Sequence, residues 1–119
     1  QIYSKKYLHV DEEPYFISGQ TDSTIIVNQT KIALAICYEV FIPEHVENAY
    51  ANGVKVYLAS VAKSAKGVEK AFNRLPEIAQ KYQVTVLMAT HDYTILEKFP
   101  AKILRCQDGR ILNEQRLLL

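Results

Sequence analysis

The sequence predicts an α/β domain with a largely parallel sheet, and three observations predict it. Apolar runs of strand length recur at residues 31–36, 54–61 and 84–90. Stretches with helical signals lie between them, at residues 43–51 and again up to residue 83. The last two runs, V-K-V-Y-L-A-S-V and V-T-V-L-M-A-T, are apolar throughout rather than alternating, which is the pattern of strands covered on both faces. A strand–helix–strand–helix–strand series of this kind gives parallel neighbours.

Residues 1–19 read as an ordered loop. Pro14 breaks regular structure, and Gly19 with the polar residues after it supplies a turn. Residues 24–27 and 31–36 are β-rich and are separated by Asn28-Gln29-Thr30, a hairpin signature. Residues 43–51 form a short helix, with Pro43 at its start and Gly53 just past its end. A longer helix starts at Ser64, or at Lys66 and Gly67, and runs to Gln83. Val68, Ala71, Phe72, Leu75, Ile78, Ala79 and Tyr82 give it one apolar stripe. Pro76 should kink it or split it near Leu75. Residues 91–99 are a loop or one helical turn. Residues 102–106 and 110–113 flank Gln107-Asp108-Gly109, a second hairpin cue, and the three leucines at the end are expected to dock on something.

This inventory raises a packing problem. Two or three helices cannot cover both faces of a sheet of five or six strands, so one face is expected to meet a further layer, from missing chain or from a second subunit. The first residue is Gln1 rather than Met, and we expect chain upstream, with all 119 residues forming one domain whose amino-terminal portion is absent.

Composition narrows the class. Hydrophobic residues make up 49% and charged residues 23%, with a net charge of +1, which fits a folded domain and gives no reason to expect nucleic acid or a membrane as partner. Two cysteines without zinc-ligand or disulfide spacing suit a reducing, cytoplasmic setting. No metal or cofactor is expected, and there is no glycine-rich phosphate cradle.

The chemistry is sought around Cys37. The strand at residues 31–36 delivers it to a carboxyl end, where the crevice of an open α/β sheet lies, just before a helix start. Cysteine thiolates are stabilised in such surroundings. Free cysteine is also among the most buried residue types, so core packing is the competing reading.

With Tyr3-Ser4-Lys5-Lys6-Tyr7-Leu8, Glu12 and Ile36-Cys37-Tyr38-Glu39 in view, the chain resembles the carbon–nitrogen hydrolase (nitrilase) superfamily. That family carries a Y-x-K-x-x-L lysine loop, an acidic residue and an aromatic pair before a glycine, and an I-C-Y-[DE]-x-x-x-P-E elbow. Residues 36–44 fit the elbow throughout. Asp11-Glu12-Glu13-Pro14-Tyr15-Phe16 and Gly19 fit the middle pattern.

The resemblance implies part of a four-layer α-β-β-α sandwich, with a mixed sheet and helices on one face. It also implies hydrolysis of amide, carbamoyl or nitrile C–N bonds in a small-molecule substrate. Cys37 matches the nucleophile, Lys5 the catalytic lysine, and Glu12 a second acid of the site, with Glu13 one residue away as its alternative. Tyr38 would lend its backbone N–H to the oxyanion. The family's general-base glutamate lies in a part that this sequence does not contain. Glu39, Glu13 and His91 are further candidates for the pocket. His9 and His45 could be bases but read first as surface, Lys63, Ser64 and Lys66 read first as a solvated loop that could meet a polar end of the substrate, and Cys106 reads as packing. Family members commonly form homo-oligomers. The alternative is a non-catalytic α/β binding or oligomerisation domain in which Cys37 is core.

Overall fold

The computed structural model describes residues 2–62, 65–92, 97–98 and 101–115, leaving aside the side chains of residues 65 and 113–115. The expectations for residues 63–64, for most of 93–100 and for the leucine tail lie outside the described residues. Residues 2–23 form a loop with a tight turn in its middle. It leads into β1 (Thr24–Val27) and β2 (Thr30–Ile36), joined by Asn28 and Gln29 at φ +48° and +67°, the paired left-handed residues of a type I′ hairpin turn. A 3₁₀ helix (Cys37–Phe41) and α1 (Pro43–Ala51) follow, then β3 (Val56–Ser60), α2 (Ala65–Tyr82) and β4 (Thr85–Ala89).

Strand order in the sheet is β1-β2-β3-β4. β1 is antiparallel to β2, whereas β2, β3 and β4 run parallel, as the alternation of elements requires. The register places Ile36 beside Ser60 and Ser60 beside Ala89. All three parallel strands therefore end at one level, and the segments that follow them gather at one rim.

Both helices pack on the same face. Ala33 and Ala35 of β2 and Tyr57 and Ala59 of β3 bury against Val46 and Ala49 of α1 and Val68, Ala71, Leu75 and Ile78 of α2. The small residues on β2 let the helices approach closely, and the stripe of α2 fills the gap.

The opposite face carries the row Leu34, Leu58 and Leu87, with Leu87 still 43% exposed. The expectation that the strands are covered on both faces is thus met on one side by the described residues. The chain forms one helical layer and one sheet layer, a mixed sheet with helices on one face.

Two expectations are corrected. The sheet has four strands rather than five or six, because β5 (Lys102–Gln107) and β6 (Arg110–Gln115) form a hairpin of their own about Asp108 and Gly109, both at positive φ. Its Leu104, Ile111 and Leu112 stay exposed.

Helix α2 also runs unbroken through Pro76. Proline removes one amide donor, and Pro76 stands on the exposed side of α2, where water can meet the carbonyl it leaves unpaired. The buried stripe on the other side holds both halves in line. Among the described residues no helix is long and apolar enough to cross a membrane.

Ile78 is fully buried at the centre of this core. Ile78→Ala should cost about 2–5 kcal/mol of stability, read as a lower urea midpoint with an unchanged m-value.

Candidate active site

The site begins with a strained residue. At the end of β2 the chain turns so sharply that Cys37 adopts φ +48°, a left-handed conformation that costs a side-chain-bearing residue about 1–2 kcal/mol. Such strain at a strand-to-helix turn lifts the side chain out of the sheet, as in nucleophile elbows. Cys37 is accordingly partly exposed and is not a core cysteine.

Glu39 holds this turn in place. It is fully buried on the 3₁₀ helix, and its Oε1 accepts the Ile36 N–H at 3.0 Å, half of a capping box. Its Oε2 accepts the Tyr3 hydroxyl at 2.5 Å and the Lys6 and Tyr7 N–H groups at 2.9 and 3.2 Å. One carboxylate therefore ties the elbow to the loop that carries Lys5. Burial, and donation to Glu39, push the Tyr3 hydroxyl well above its ordinary value, so it stays a donor. Glu39 was expected as a pocket residue. The structure corrects this, because its oxygens are consumed beneath the elbow.

Lys5 lies between those anchors, with its side chain 13% exposed. Its Nζ donates to Glu12 Oε1 at 2.5 Å, and the His9 N–H donates to the same oxygen at 2.9 Å. The Lys5 bond, then the His9 amide, hold Glu12 below the usual carboxylate range. Lys5 thus pairs with Glu12 and not with Glu13, which is exposed. The Gly19 N–H donates to the Lys5 carbonyl at 2.8 Å, and a Cβ at Gly19 would collide with the Ser4 carbonyl, so only glycine lets these two segments meet.

Glu12, Cys37, Tyr38, His9, Asp11 and Ala62 line one open depression of about 340 Å³ at the rim of the sheet. The Ala62 N–H, just past the end of β3, donates to Cys37 Sγ at 3.4 Å. The His9 and Tyr38 rings meet edge to face at 5.1 Å, and His9 Nδ1 accepts the Asp11 N–H at 3.2 Å. His9, read from the sequence as surface, therefore belongs to the depression.

His45 is corrected as well, since it is 2% exposed and packs under the elbow. His91 is exposed and Lys66 is exposed, and neither lines the depression. Cys106 is exposed rather than packed. Among the described residues no cluster of His, Cys, Asp and Glu could hold a metal ion.

What sequence reasoning missed had a partial signal. Glu39 stands three residues after Ile36, the spacing of a capping box. His45 shares the inner face of α1 with Val46 and Ala49. The Ala62 amide carries no side-chain signal at all.

No family model matches the chain, and no curated protein matches it. Solved structures of the amidase from Nesterenkonia sp. AN1, of the nitrilase superfamily, do. A cysteine-to-alanine mutant of it matches at 25% identity and TM-score 0.58, over 73% of this chain and 34% of the amidase chain. The same figures hold for such a mutant in complex with butyramide. A glutamate-to-glutamine mutant showing the Michael addition of acrylamide at the active site cysteine matches at 26% and TM-score 0.59, over 73% and 35%. The chain spans about a third of the length of these amidases.

Glu39→Ala would orphan the four donors that its carboxylate now satisfies, each at a cost of about 1–3 kcal/mol. We expect a loss at least as large as that of Ile78→Ala, enough to unfold much of the protein, with the denaturation midpoint as readout. The Lys5–Glu12 pair has its own acid signature. Because folding lowers the Glu12 carboxyl, the pair's contribution is present above the ordinary carboxylate range and fades as pH falls through the lowered folded value. The stability difference between wild type and Lys5→Ala should therefore shrink to nothing in acid titrations followed by circular dichroism.

Proposed function

We propose that this chain, which has the carbon–nitrogen hydrolase (nitrilase-like) fold, is the part of an amide-hydrolysing enzyme that carries the nucleophile and its charge sink. The observation that carries the reading is the strained Cys37, held at the mouth of a depression that it shares with Glu12, the partner of Lys5. One matching amidase mutant carries acrylamide added at its active site cysteine, and the match covers 73% of this chain.

In this reading the Cys37 thiolate attacks the carbonyl carbon of a small amide. The C–N bond breaks, the amine leaves with a proton, and a thioester remains until water releases the acid. Negative charge gathers on the carbonyl oxygen at both attacks. The Lys5 ammonium and the Tyr38 N–H are the donors that offset it, and the loss of one such donor costs about 10²–10³ in rate.

Glu12 orients Lys5. Its Oε1 is taken by the Lys5 ammonium and the His9 N–H, which suits it to orienting Lys5 rather than to acting as the general base. The base belongs to chain beyond these 119 residues or to a partner subunit. An amide, a carbamoyl compound or a nitrile would meet the same thiolate, and the butyramide complex of a matching amidase favours a small amide.

Iodoacetamide labelling followed by peptide mass spectrometry tests the reading. Cys37 should alkylate faster than Cys106, which is exposed and serves as an internal free-thiol reference. Lys5→Ala should remove the difference. Equal rates in the wild type would leave a non-catalytic α/β binding domain as the better account.

A further inference from the structure

One buried titratable group has no part in the chemistry above. His45 Nδ1 lies 2.9 Å from the Tyr57 hydroxyl, and its ring meets the rings of Tyr57 and Tyr7 edge to face at 5.7 and 6.0 Å. Its Nε2 makes no hydrogen bond among the described residues and stands 4.0 Å from Glu39 Oε2. Burial keeps Tyr57 a neutral hydroxyl. With that hydroxyl donating to Nδ1, the ring proton sits on Nε2 and faces the carboxylate. The opposite tautomer would set a lone pair against a negative oxygen, so it is disfavoured.

We propose that His45 is a positioning residue for the Cys37 site: the neutral ring leaves Glu39 Oε2 to the lysine loop, and the protonated ring draws that oxygen away and loosens Lys5. The inference rests on the reading of Lys5 as charge partner of Cys37. Glu39 Oε2 already serves three donors from the loop, those of Tyr3, Lys6 and Tyr7. An imidazolium at 4.0 Å would compete for it with full charge. The groups facing His45 are Glu39 from the 3₁₀ helix, Tyr57 from β3, Tyr7 and the Lys6 charge from the loop, and the Leu34 carbonyl from β2. The α2 side contributes Arg74, which acts on Tyr57. Burial, the largest influence, and Lys6 favour the neutral ring, whereas Glu39 and the Leu34 carbonyl favour the charged one. The balance favours the neutral ring at ordinary pH, and charging it takes a pH below the usual imidazole range.

The test follows the His45 ring and the Lys6 and Tyr7 amides by NMR as pH is lowered, together with the ratio of Cys37 alkylation rates in wild type and Lys5→Ala. The amides should shift with the midpoint of the His45 ring, and the ratio should fall with that same midpoint. His45→Gln, which keeps a polar contact for Tyr57 and cannot charge, should hold the ratio level. A ratio that falls equally in His45→Gln overturns the proposal, and so does a ring that stays neutral until acid unfolding. Should His45→Gln fail to fold, the wild-type titration decides: amides that track the ring support the link, and amides that ignore it overturn it. A ratio of one at every pH removes Lys5 from the site, which is a failure of the functional reading. The amide shifts then judge the His45 link to the loop alone.

Discussion

Everything at the rim of the sheet depends on where one buried carboxylate spends its lone pairs. Glu39 is fully enclosed, and a charge in that position is tolerable only if donors surround it. The chain supplies them from two distant stretches, Ile36 on the strand side and Tyr3, Lys6 and Tyr7 on the loop side. The carboxylate is the polar joint between them. The energetic asymmetry explains its strength, because a buried donor without a partner costs more than a hydrogen bond gains. The loop is held firmly because detaching it would leave the buried Glu39 carboxylate without three of its donors.

That joint also accounts for the strain at Cys37. A left-handed cysteine persists only where its neighbours over-determine the turn. Ile36 and Glu39 fix the turn from both sides, and the parallel register of β2, β3 and β4 sets the Ala62 amide against the sulfur. The geometry of the thiol is thus a property of the sheet. Lys5 arrives by a different route, through Glu12 and the close approach of Gly19. Glu12, the partner of Lys5, thereby lines the same depression as Cys37.

The uncovered face of the sheet and the separate hairpin belong together physically. Among the described residues Leu34, Leu58 and Leu87 form a row with no helix above it, while Leu104, Ile111 and Leu112 stand exposed on the separate hairpin. Apolar strands without alternation are a record of burial. The length relation to the Nesterenkonia amidase, about a third of that chain, agrees with a sheet that has one covered side here.

The sequence by itself determined the order of elements, the parallel core, the hairpin turns, and the identities of Cys37, Lys5 and Glu12 as the residues to watch. These are local or periodic properties: apolar spacing, proline and glycine punctuation, and a motif whose residues are neighbours in the chain. Tertiary structure decided the rest. That Glu39 faces inward and not into the pocket, that His45 is core and His9 rim, that Pro76 leaves α2 whole, and that β5 and β6 stand apart all depend on contacts between segments far apart in sequence. Burial and hydrogen-bond partnership are set by what the folded chain brings near, and no spacing along the chain encodes them.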